Sequence, residues 1–152
     1  MCLCTSCVCS RSALPDLEAV FVQFASTHCP TAALSRATLP DFLRFCGDVG
    51  ALSVLSTTRD CERAFKLAQP VSPDELASDA HLNLTFPEWL EASCRLADGA
   101  PLVPPAAVAA GGTDVSPADV ARMLAAHSAM TLPARLEVLV ARAAALAARR
   151  LA

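Results

Sequence analysis

The sequence predicts an all-α protein: a pair of helix–loop–helix units followed by a helical appendage. Three observations lead there. A loop-to-helix junction occurs twice, as Thr38-Leu39-Pro40-Asp41-Phe42-Leu43 and as Thr85-Phe86-Pro87-Glu88-Trp89-Leu90. Both copies run polar, apolar, proline, acid, aromatic, leucine, with the proline in the first helical turn, where its missing N–H costs nothing. Each copy follows a stretch with apolar residues at helical spacing: Leu17, Val20, Phe21 and Phe24 before the first, and Cys61, Ala64, Phe65 and Ala68 before the second. Finally, a Pro/Gly/Ala-rich interval separates this repeat from a last stretch with its own helical period. One junction repeated after two apolar helices is the mark of a paired domain.

Residues 1–15 form a Cys-rich tail and residues 16–97 the paired domain. The first helix runs from Asp16 to about residue 27, with Asp16 as its cap and Glu18 at the positive end of its dipole. The second runs from Leu39 to about Cys46 and buries Phe42, Leu43, Phe45 and Cys46, with Gly47 and Gly50 permitting the turn out. Thr57 or Thr58 caps the third, and Pro70 and Pro73 stop it. Leu82, Leu84 and Phe86 alternate as a short extended run before the fourth helix, from Pro87 to about Ala97, which predicts short β contacts between the loops. That helix buries Trp89, Leu90, Cys94 and Leu96. Residues 98–115 are a linker, and residues 116–152 a C-terminal helical segment beginning at Ser116-Pro117-Ala118-Asp119.

The net charge of −3 argues against a nucleic-acid partner, which needs a basic field. Mean hydropathy is high at +0.43, much of it from alanine. No apolar run reaches the roughly 18–20 residues of a membrane span. The chain's start lacks the basic and apolar regions of a secretory signal, so the eight cysteines are expected as thiols in a reducing compartment. No Gly-rich phosphate loop, nucleophile elbow or HExxH motif occurs, and His28, His81 and His127 lie far apart. The expectation is a non-catalytic chain without a cofactor.

The aromatic pair Phe21/Phe24, the two junctions and the acids Asp41 and Glu88 resemble a degenerate EF-hand pair of the kind found in ciliary and flagellar proteins. Within that group the chain is similar to the tubulin polymerisation-promoting family. Leu17 to Phe24 match its Phe-rich first helix and Leu43 to Gly47 its Cys-containing second helix. Asp60 to Phe65 match its D-x-x-x-x-F third helix and Leu84 to Ala97 its final helix. The resemblance implies an adapter in a microtubule-based assembly, a cilium or flagellar axoneme, with tubulin or other axonemal proteins as partners and a cytoplasmic, cytoskeletal location.

The loops themselves predict no calcium. An EF-hand holds the ion through oxygens at positions 1, 3, 5, 7, 9 and 12, with glycine at 6. With Glu88 at position 12, Ala77 falls at 1, Asp79 at 3, His81 at 5, Leu82 at 6, Asn83 at 7 and Thr85 at 9. With Asp41 at 12, Pro30, Ala32 and Leu34 fall at 1, 3 and 5. Asp79, Asn83, Thr85 and Glu88 are therefore the one weak candidate set, and a calcium-sensor or light-chain role is the competing reading. Cys2, Cys4, Cys7 and Cys9 give a third, a zinc module, because zinc favours four thiolates. An unstructured or lipidated tail fits the same four residues.

For partner binding, a groove lined by Phe42 and Trp89 would grip an amphipathic helix. The last helix offers Leu132, Leu139 and Leu146 at intervals of seven, with Leu136 and Ala143 beside them. It fills that groove itself or is offered to a partner. Arg135, Arg142 and Arg149 repeat at the same interval, as a solvated flank or as contacts to an acidic surface.

Overall fold

The computed structural model describes residues 14–25, 35–53, 55–69, 82–101 and 116–151, with backbone alone for 149–151. Among these lie α1 (Leu14–Phe24), β1 (Ala37–Thr38), α2 (Leu39–Asp48), α3 (Thr58–Ala68), β2 (Asn83–Leu84), α4 (Phe86–Gly99), α5 (Pro117–Ala129) and α6 (Leu132–Leu151). The fold is mostly helical, as the sequence predicts.

The expected β contact forms. β1 and β2 pair antiparallel, with Ala37 opposite Leu84 and Thr38 opposite Asn83. Ala37 and Leu84 are fully buried while their neighbours are half-buried, the alternation that a strand imposes. Two residues per strand supply little stability alone; they fix the register between the two helix–loop–helix halves.

Local chemistry explains the helix starts. The Thr38 N–H donates to Asp41 Oδ2 at 2.9 Å, and its hydroxyl donates to the same oxygen at 2.7 Å. Thr57 does the same with Asp60, at 2.9 and 2.8 Å, and Thr85 with Glu88, at 2.7 Å for both bonds. Each acid sits three residues past its threonine, the capping-box spacing. α2 ends in a Schellman turn: Ala51 N–H reaches Cys46 O at 2.8 Å and Gly50 N–H reaches Gly47 O at 3.0 Å. Gly50 has φ 73°, where a side chain would be strained.

All six phenylalanines and the single tryptophan meet in one core. Ring centroids lie 4.7 Å apart for Phe45 and Trp89, 5.5 Å for Phe24 and Phe45, 5.8 Å for Phe21 and Trp89, and 5.9 Å for Phe42 and Phe65. These contacts join α1, α2, α3 and α4, at separations where aromatic pairs attract beyond their buried area.

Several boundaries differ from expectation. α1 begins at Leu14, so Asp16 lies inside the first turn rather than capping it. Pro15 is tolerated there because first-turn N–H groups have no partner anyway. α4 continues to Gly99, and Ala100 beyond it is buried, so the core takes the start of the expected linker. The rest of that linker (102–115) and the tail (1–13) lie outside the described residues. Cys94, expected as a thiol, is disulfide-bonded.

Candidate functional site

The two repeated junctions come together at the β1–β2 pair. Of the residues considered for calcium, Asp79 lies outside the described residues. Asn83 pairs with Thr38 across the sheet, and Thr85 and Glu88 are bonded to each other. Glu88 Oε2 accepts both the N–H and the hydroxyl of Thr85, so the acid at the last ligand position holds the start of α4. Asp41 does this for α2 and also meets Arg44 at 3.3 Å. Among the described residues no group of three or more His, Cys, Asp or Glu side chains is placed to hold a metal ion. Cys2, Cys4, Cys7 and Cys9 lie outside the described residues.

Two expected partner-binding residues are corrected. Phe42 and Trp89 are wholly buried and present nothing to a partner. Both fall at the first inward position after a proline and an acid, and the aromatic core consumes them. The Trp89 indole N–H is buried without a hydrogen-bond partner, a cost of about 1–3 kcal/mol that the surrounding ring contacts offset.

The C-terminal seam folds back on its own chain. α6 packs against α1 and α4. Leu139 is buried with Leu136 and Ala143, while Leu132 and Leu146 are partly buried against the same core. The seven-residue spacing thus marks a face used within the chain.

Of the arginines beside that seam, Arg135 and Arg142 are neither a solvated flank nor a free acidic-surface contact. Arg135 donates from Nη1 to Asp98 O at 2.9 Å and Asp98 Oδ1 at 3.1 Å. Its Nε donates to His127 O and Met130 O, each at 3.1 Å. It joins the C-terminal ends of α4 and α5. Arg142 donates to Val49 O at 3.0 Å, at the end of α2. Burial pulls the Arg142 guanidinium below its ordinary pKa. Arg44 completes the set, donating to Phe24 O at 2.9 Å at the end of α1 and lying 5.4 Å over the Phe24 ring. Each guanidinium meets carbonyls at or just past a helix C-terminus, where the dipole favours a cation. The side chain of Arg149 lies outside the described residues.

What stays open is a cleft of about 390 Å³ between α3 and α4. Asp60, Arg63, Leu67, Arg95 and Asp98 line it, and Leu67 is 54% exposed. Arg95 is paired with Glu91 at 2.8 Å, a surface bridge worth about 0–1 kcal/mol. Thr57 holds the Asp60 carboxyl below its ordinary pKa, with smaller help from Arg63 and Arg59. Sequence reading missed this cleft because it joins two outward faces that look like ordinary solvated helix surface. The signal that could have found it was Leu67, an apolar residue between Lys66 and the helix end, off the buried stripe.

Fold and site together define a helical protein in which two helix pairs meet at a short antiparallel strand pair and α6 packs against α1 and α4. No family model, curated protein or solved structure matches the chain.

Proposed function

We propose that this chain is a non-catalytic, calcium-independent adapter whose EF-hand-like pair docks protein partners within a microtubule-based assembly. One observation carries the calcium-independent part. The acids at the last-ligand positions, Asp41 and Glu88, each accept two hydrogen bonds from the threonine that starts their own helix. A calcium ion would have to draw Glu88 from those bonds, with apolar or missing oxygens at most other loop positions. The antiparallel β1–β2 pair between the loops supports the EF-hand-like reading. The resemblance to ciliary and flagellar EF-hand-like proteins supports the microtubule setting.

With α6 lying along α1 and α4, a partner approaches the α3–α4 cleft or displaces α6. The cleft has both charge signs and one exposed leucine, a surface suited to a polar helix with a single apolar anchor.

Two measurements test this on the full chain. Trp89 is the single tryptophan and is adjacent to Glu88, so its emission reports any movement of that acid. The expected result is unchanged emission, and no heat on titration, as calcium is raised. A saturable heat with a tryptophan shift would return the chain to the calcium sensors. Co-sedimentation with stabilised microtubules across a salt series tests the setting. Saturable pelleting that weakens with Arg63→Glu supports the cleft as the contact. Absence of pelleting at low salt removes tubulin as a direct partner.

A further inference from the structure

We infer that the cleft between α3 and α4 takes an acidic amphipathic helix of a partner protein, with one apolar side chain in the cleft and carboxylates along a basic row on α3. The inference rests on the reading of the chain as a protein-docking adapter and names the chemistry of what docks.

The row comes from helical spacing. Arg59, Arg63 and Lys66 are separated by four and three residues, so they share one face of α3, and all three are exposed. Among the described residues no carboxylate lies within ion-pair distance of any of them; the ion pairs there use Arg44, Arg95, Arg122 and Arg135. The acids of the cleft are already engaged. Asp60 accepts the N–H and the hydroxyl of Thr57, and Asp98 is bridged to Arg135. The charge that this surface leaves unanswered is therefore positive. The chain as a whole carries −3, so the attraction is local to one face.

The cleft supplies the apolar half. Arg63 lines it, and so does Leu67 one turn further on. Opposite lie Leu96, Gly99 and Ala100 at the end of α4. A Cβ at Gly99 would meet no atom within 4 Å among the described residues, so the lack of a side chain there leaves this end open. At about 390 Å³ the cleft is near the lower limit of ligand sites, with room for one large side chain. Arg59 to Lys66 spans about 10 Å, and acids at i, i+4 and i+7 of a partner helix repeat over the same length. An exposed leucine beside unpaired cations thus matches an apolar anchor flanked by carboxylates. An anionic membrane matches less well, because the exposed acids Asp60 and Glu62 flank the row and would face the lipid too.

The test titrates the full chain into a fluorescein-labelled helical peptide with glutamates at i, i+4 and i+7 and a single leucine, followed by anisotropy. The expected result is saturable binding that weakens as salt rises. The same peptide with glutamines should bind about tenfold more weakly. Arg59→Glu lies outside the cleft and suits the positive end of the α3 dipole, so the helix is kept. It should weaken binding about tenfold and reduce the salt dependence. Gly99→Phe puts a ring into the cleft at a glycine without positive φ. It should weaken binding and leave the salt dependence unchanged. No binding at low salt, equal binding of the glutamine peptide, or binding unchanged in either variant would overturn the proposal. So would adhesion to phosphatidylserine vesicles without peptide binding. Pelleting with microtubules while the acidic peptide fails to bind keeps the adapter reading and overturns this partner. Peptide binding without pelleting keeps this partner and removes only tubulin.

Discussion

The α1–α4 domain and the α5–α6 segment are held by different physics. In the first, every aromatic side chain of the protein is buried in one cluster of rings. In the second, α5 has no buried residue at all. α6 buries only leucines and alanines, and a cavity of about 140 Å³ lined by Met123, Met130 and Val138 remains beside α5. Polar clamps take the place of rings: Arg135 onto α4 and α5, His127 Nε2 against Asp98 O at 3.0 Å, and Arg142 onto α2. Large rings remove much area from water and lock the domain. Small alanines remove little, so the segment's position depends on a few directional bonds. The domain should unfold as a unit, whereas the α5–α6 segment should open locally at lower cost.

Substitutions at five positions, the last read by acid titration, probe that contrast, in order of expected size. Trp89→Ala leaves a void where four rings meet and should cost about 3–5 kcal/mol, lowering the midpoint of the whole domain in denaturant unfolding. Trp89→Phe should cost much less, because it also removes the orphaned indole N–H. Leu139→Ala should cost about 2 kcal/mol. Its sign of success is faster amide exchange in α6 while α2 and α3 stay protected. If exchange rises equally everywhere, the α5–α6 segment and the domain are one cooperative unit and the contrast fails.

Arg135→Gln should remove about 1.5 kcal/mol, since hydrogen bonds from a charged donor are the stronger kind. Amide exchange in α5 should rise more than in α4, because α5 has no buried side chains to fall back on. Thr85→Ala removes the partner of Glu88 and should cost about 1 kcal/mol, read as a lower thermal midpoint. The smallest effect concerns Asp60, whose folded pKa is below its ordinary value of 3.8 because it accepts two bonds from Thr57. The stabilisation is therefore complete above pH 3.8 and disappears as pH falls through the lower folded value. Asp60→Asn should flatten that part of an acid titration followed by circular dichroism.

The C-terminal segment shows why some sites stayed illegible. Leu132, Leu139 and Leu146 announce a helix with an apolar face, because the period of seven is local. Whether that face meets a partner or its own chain depends on contacts across more than a hundred residues, as between α6 and α1. Arg135 and Arg142 had the same ambiguity: a cation beside a seam looks alike whether it faces solvent, an acidic partner or a distant helix end. Phe42 and Trp89 were legible as apolar anchors but not as core, since nothing in their spacing says how many other rings converge on them.

The sequence by itself determined what is decided within a turn or two of chain. Threonine three residues before an acid set three helix starts, Pro40 and Pro87 set first turns, Gly50 permitted the turn after α2, and Leu82 to Phe86 set an extended run that pairs. Those features arise from hydrogen bonds and sterics between near neighbours, so they can be read from short stretches. Only the tertiary structure decided that Arg142 reaches Val49, that Ala37 pairs with Leu84, and that α3 and α4 leave a cleft between them. Each depends on two distant segments arriving at one place, and a linear pattern records the residues that arrive without recording which of them meet.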